Sequence, residues 1–269
     1  MKQPDDFSDE DELDPTEKPM GFFEHLEELR WTLVKCVIVY AVFAIAIGIF
    51  LKQFNAALLW PLEWVRHTMP EMKFEMAGRT PTEAFSIVIQ LCCLGALLPA
   101  MPFFFFFLGQ FVGPALTKTE KRMVLPVCFS SLLLFLAGSS FSFFLLVPST
   151  LKISLELNNL LGFDPPIWTP ASYYSTLSWL VIGVGVAFEF PLLILLLVYL
   201  GFISTATLRK YRRHAIVVIF IVAAIITPTP DPFTQTIFAA PLYALFEIAI
   251  FVGGRMEKKR AARLEAGEL

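Results

Sequence analysis

GFFEHLEELRWTLVK, residues 21–35, joins an acidic tail to the first long apolar run and carries charges of both signs at the junction. At helical spacing Phe22, Leu26, Leu29 and Leu33 form an apolar stripe, while Glu24, Glu27, Glu28 and Arg30 lie mostly off it. Such a segment can lie against a membrane surface before turning into it. Its charges admit two readings. Glu24 with Glu28, and Glu27 with Arg30, solvate a helix end, or the carboxylates beside a membrane entry await a basic guest.

On its N-terminal side, residues 1–20 hold eight acids from Asp5 to Glu17 and cannot form a core. This acidic cytoplasmic tail is neither a secretory signal nor a transit peptide, because it is acid-rich and has no apolar stretch. The chain as a whole is 56% hydrophobic, with mean hydropathy +0.66 and 28 Phe, far too apolar for a soluble surface. Six runs approach the roughly 20 residues that a bilayer core requires. They lie near 31–51, 84–111, 124–147, 172–200, 214–227 and 233–253. One transmembrane domain over residues 21–255 and a charged cytoplasmic tail over 256–269 are expected.

Lys and Arg gather where the membrane's inner side should be. Of the 21, only Lys52, Arg66, Lys73, Arg79 and Lys152 fall in outer segments if both termini are cytoplasmic. An odd number of crossings would put a terminal basic cluster on the wrong side. The outer segments 52–83 and 148–171 contain enough Pro, Trp and short amphipathic turns to form ordered caps. The fifth run is short, only about 18 Å of helix between Ala215 and Ile226, and the sixth is short once Glu247 is discounted. Such a pair thins the bilayer or is shielded by a partner, or else it forms a re-entrant hairpin.

Glu189 sits in VGVAFEFPLL, on the order of 16 Å from the cytoplasmic end of the fourth run. A carboxyl at that depth faces a cavity or a protein partner. Pro191 cannot donate to the helix ladder, which predicts a kink beside Glu189. Pro99 and Pro102 predict a bend in the second run. The four Cys lie in or beside apolar runs and behave as small hydrophobes. The three His are scattered without metal-ligand spacing, and no phosphate-binding Gly loop or nucleophile set occurs. Neither a metal, another cofactor, an enzyme activity nor nucleic-acid binding is expected.

Together the motifs HLEELR (25–30), PTEAF (81–85), FVGPALTKTEKR (111–122), FEFP (188–191), LRKYR (208–212), TPTPDPFTQ (227–235) and PLYALFE (241–247) resemble TatC, the multi-span receptor subunit of the twin-arginine protein translocase. The resemblance spans about residues 25–255. It implies an all-α integral membrane protein of six transmembrane helices in a concave, glove-like wall, with short fifth and sixth helices and both termini cytoplasmic. It implies a prokaryotic inner membrane, the proton-motive force as driver, and recognition of twin-arginine signal peptides on folded cargo.

By the same resemblance, Glu28 and Glu120 match the acids that hold the paired arginines, and Phe111 matches an aromatic at the lip of the second span. Arg30 matches the first motif's own arginine, a structural clamp. Glu189, Thr227 and Gln235 match intramembrane polar positions where single-span TatB and TatA, or the inserted peptide, approach. Membrane lipid and further copies of the chain within the receptor complex complete the expected partners. The chain departs from the family's usual pattern at Trp31 and Thr32, where basic residues normally follow, and in the length of TPTPDPFTQ. A proton-coupled small-solute transporter using Glu189, which would need neither Glu28 nor Glu120, is the rival reading; a purely structural scaffold is a second.

Overall fold

The computed structural model describes residues 22–70, 75–78, 80–112, 118–162, 167–199, 201–228 and 231–265; side chains at 22, 75, 112, 118–124, 167, 260, 261 and 263–265 are outside that description. The acidic tail, residues 1–20, lies outside the described residues. Five helical stretches are long and apolar enough to cross a membrane: Phe23–Ile49, Glu83–Phe111, Leu125–Leu160, Pro170–Tyr199 and Pro232–Lys259.

The first, α1 (Phe22–Ile49), leaves a small connection before α2 (Leu51–Leu58) and α3 (Trp60–Thr68). Only 6% of its apolar window is buried, so its surface is built for lipid rather than for a protein core, and it packs chiefly on α4 (Glu83–Val112). Pro99 and Pro102 lie inside α4, which continues through both as helix. The third stretch is compound. α5 (Lys118–Phe141) passes through a π-helical segment, Ser142–Leu146, into α6 (Val147–Leu160). Its 36 residues from Leu125 to Leu160 make about 54 Å of helix, well beyond a core about 30 Å thick, so α6 projects from the membrane.

The fourth stretch breaks where Pro191 predicts. α7 (Pro170–Ala187) stops, Phe188 and Glu189 form a turn, and α8 (Phe190–Tyr199) begins. The main chain stays satisfied across the break: Glu189 N–H donates to the Val186 carbonyl at 3.0 Å, and the Glu189 carbonyl accepts from Leu192 and Leu193. α9 (Thr205–Lys210) and α10 (Arg212–Ile226) follow. α10 has 15 residues, about 22 Å, short of a bilayer core. The last helix, α11 (Pro232–Glu265), extends beyond its apolar run: the basic segment after Gly253 remains helical to Glu265.

α7 is the axis of the core. Its Leu177, Leu180 and Val184 are fully buried, together with Phe135 of α5, Ala223 of α10 and Phe238 of α11. Glycines set how closely the helices approach. A Cβ on Gly185 would lie 2.6 Å from Ser139 Oγ and 2.7 Å from the Phe135 ring, and one on Gly138 would lie 2.7 Å from Phe188. With no hydrophobic drive between helices in lipid, such close backbone contact is the main source of packing energy.

The two outer segments are ordered and joined. β1 (Glu75–Met76) pairs in parallel with β2 (Ile167–Trp168), Glu75 opposite Ile167. Leu62 and Val65 of α3 are buried, and α3 packs on α6. Tyr173 O–H donates to the Leu58 carbonyl at 2.5 Å and Tyr174 O–H to Asn55 Oδ1, while Glu83 accepts from the Ala171 amide at 3.1 Å. One rim of the molecule is therefore cross-tied by hydrogen bonds and by a strand pair too short to read from pattern.

Candidate functional site

At the opposite rim, the first turns of α1 meet the end of α4. The Phe111 ring stacks on His25 at 4.4 Å between centroids and 16° between planes. One helical turn on, Glu28 points an oxygen to within 3.9 Å of His25 Nδ1, too long for a hydrogen bond. That Oε2 is shielded from solvent and has no hydrogen-bond partner among the described residues.

Glu27 is differently placed. It accepts from Trp31 Nε1 at 3.0 Å and pairs with Arg30 at 3.2 Å, and the Arg30 guanidinium lies 5.5 Å from the Trp31 ring centroid. Arg30 is therefore engaged by Glu27, not Glu28. Of these two acids, Glu28 keeps acceptor capacity for an incoming donor. A guanidinium, with its fork of N–H groups, satisfies such an oxygen and its neighbour together. Glu120 falls in the first turn of α5, and its side chain lies outside the described residues.

A second polar position is midway along the bundle. Ser131 Oγ of α5 donates to Glu189 Oε2, while Glu189 Oε1 is shielded and has no hydrogen-bond partner among the described residues. The break between α7 and α8 puts Glu189 opposite Ser131; an unbroken helix through Pro191 would crowd the Ala187 carbonyl.

The third position is the turn between α10 and α11. Helix ends in lipid leave carbonyls that need donors. Thr227 Oγ1 donates to the Ala223 carbonyl at 2.8 Å, Gln235 Nε2 to the Phe220 carbonyl at 2.8 Å, and Trp179 Nε1 of α7 to the Ile226 carbonyl at 2.9 Å. Asp231 caps α11, accepting from the Thr234 amide and hydroxyl, each at 2.6 Å. At the far end of this pair, Arg212 donates to Glu247 at 2.7 Å and Tyr243 to the same carboxylate at 2.9 Å.

The structure thus brings Glu28 and Phe111 to one rim, and places Glu189 and the Thr227–Gln235 pair in separate settings. Sequence reading missed His25 as the partner of Phe111, Ser131 as the partner of Glu189, and the Arg212–Glu247 link. Asp231 could have been found, since Asp followed by Pro and then Thr three places on is a helix-start pattern. Among the described residues no group of three His, Cys, Asp or Glu could hold a metal ion.

These features define a multi-pass, all-α integral membrane protein with carboxylates at one rim and in the bundle interior. The model of the family described as Sec-independent protein translocase protein (TatC) matches residues 24–241, and the chain belongs to that family. A Sec-independent protein translocase protein TatC from Koribacter versatilis (strain Ellin345) is 34% identical, with 93% of this chain and 92% of that one covered. One from Aquifex aeolicus (strain VF5) is 33% identical over 90% and 98%. A crystal structure of the twin arginine translocase receptor TatC in DDM superposes with a TM-score of 0.71 at 33% identity, covering 86% of this chain and 99% of that one. Membership places the chain in the inner membrane as a multi-pass protein, and the glove-like TatC fold expected from the motifs is the one observed.

Proposed function

We propose that this chain binds the paired arginines of twin-arginine signal peptides on folded cargo and organises the translocation complex around itself. The carrying observation is Glu28, a carboxylate beside the His25–Phe111 stack with a shielded, unpartnered oxygen. Glu120 supplies the second carboxylate, and Phe111 meets the apolar part of the peptide. Arg30 holds Glu27 and so clamps the helix end. The chain crosses the membrane six times with both termini cytoplasmic, which makes short α10 a crossing and puts the Glu28 rim inside. It recognises without catalysing, holds no cofactor, and works with the proton-motive force.

Glu189, Thr227 and Gln235 form the polar face that single-span TatB and TatA approach, and further copies of the chain join the receptor complex. Residues 1–20 and 256–269 act as cytoplasmic tails. The test is capture of a twin-arginine peptide by wild type and by Glu28→Ala with Glu120→Ala, using a twin-lysine peptide as control. Loss of capture in the double variant and weaker capture of the lysine peptide is the expected result. Undiminished capture would return the chain to the solute-transporter reading.

A further inference from the structure

Where α9 runs into α10, the basic extension of α11 packs alongside, and the join is built on two glycines and two acids. A Cβ on Gly253 would lie 3.1 Å from the Thr205 methyl, and one on Gly254 would lie 3.4 Å from Arg209 Nη2, so the Arg209 guanidinium is seated close to the α11 backbone. Glu257 is turned inward: it accepts from the Thr205 amide at 2.9 Å and from the Thr205 hydroxyl. Glu247 is taken by Arg212 and Tyr243. With both acids engaged, Arg209, Lys210, Arg213, Arg255, Lys258 and Lys259 are exposed, and none has an acidic partner among the described residues.

We propose that this surface binds the headgroup phosphate of an anionic phospholipid. The inference rests on the chain spanning the membrane, not on signal-peptide binding or on which side faces the cytoplasm. Arg255 is what commits the anion to a lipid. Its guanidinium lies over the Phe251 ring at 4.1 Å, and that ring, 57% exposed on a spanning helix, has lipid around it. A cation stacked there stands at the hydrocarbon boundary, with its stem along apolar surface and its head at headgroup level. Phe202, 76% exposed just before α9, and exposed Tyr211 add interfacial aromatics at the same end of the bundle. A phospholipid brings its phosphate to the cations and lays its chains against Phe251, whereas a free anion gains only the charges. Guanidiniums take phosphate oxygens in pairs. Cations near a span end also set orientation during insertion, but orientation alone requires neither Arg209 seated on Gly254 nor Glu257 withdrawn onto Thr205.

The full chain, purified in detergent and given equal amounts of phosphatidylglycerol and phosphatidylcholine with matched acyl chains, is released for native mass spectrometry and its bound lipids are counted. Wild type holds phosphatidylglycerol in preference, and the preference falls by about five-fold for each cation lost in Arg209→Gln and Arg255→Gln. Phe251→Leu, which keeps every charge and removes the ring under Arg255, lowers it as well. Lys35→Gln with Lys52→Gln, the same loss of charge elsewhere on the chain, leaves it intact. A preference unchanged in the arginine variants and in Phe251→Leu, or an equal fall in the lysine control, overturns the proposal. So does a preference abolished by inorganic phosphate at an ionic strength where acetate leaves it, which would make this a site for a free anion. A preference seen only after residues 1–20 are deleted would give the surface to the chain's own acidic tail and overturn it too.

Discussion

Glu189 has two carboxyl oxygens and, among the described residues, one donor, Ser131. Ser131→Ala removes that donor from a shielded carboxyl, costing about 1–3 kcal/mol. Thermal unfolding in detergent should show the loss, and Glu189→Gln in the Ser131→Ala background should recover part of it, because a neutral amide is easier to leave buried. Asp231 is legible by its own logic, one side chain accepting from both the amide and hydroxyl of Thr234. Asp231→Ala should cost about 1–2 kcal/mol, as cap deletions do, with Asp231→Asn near wild type in the same assay. Glu28 was readable from HLEELR as an acid on the polar side of a helix. What separates it from Glu27 was not readable, because the difference is which acid Trp31 and Arg30 occupy.

Helices here are ended, broken and spaced by small residues. The apolar runs were legible because about twenty apolar residues in a row have few other uses, and the α7–α8 break because Pro191 has no amide hydrogen. The π-helical segment was hidden, since SFFLL reads as ordinary helix and only packing against its neighbours selects the wider turn. The strand pair was hidden because two residues carry no alternation. Helix spacing is half legible: small residues such as Gly183 and Gly185 mark a face another helix can approach, but only the structure names Ser139 and Phe135 of α5 as what Gly185 meets. Phe135 is 1% exposed and has nowhere to go. Gly185→Ala should therefore cost about 1–3 kcal/mol through overpacking, read as a lower unfolding midpoint, whereas Gly162→Ala, strained only by its own φ of 77° and touching nothing, should leave α5 and α7 in contact.

At the scale of the whole molecule, one rim is cross-tied by hydrogen bonds and a strand pair, and the other carries the unpartnered Glu28 oxygen. α10 has only 15 residues, and its C-terminal end is covered by Trp179 and Thr227, with Gln235 bonded to Phe220 further in, rather than extended by length. Reconstitution in bilayers of increasing thickness should destabilise the α10–α11 pair first, at fractions of a kcal/mol per Å of mismatch, seen as earlier hydrogen exchange at Val222 and Ala223 than at Leu177. An unchanged order of exchange would mean that α10 does not carry the mismatch. The cap bonds also set a timetable. Leu58 and Tyr173 are 115 residues apart in the chain, and Asn55 and Tyr174 are 119 apart. At a synthesis rate of 5–20 residues per second, the first cap waits roughly 6–23 s for the tyrosines that close it. During that interval α4 and α5 are made while the cap is still unlatched, so the ribosome, rather than the finished fold, decides when this rim locks.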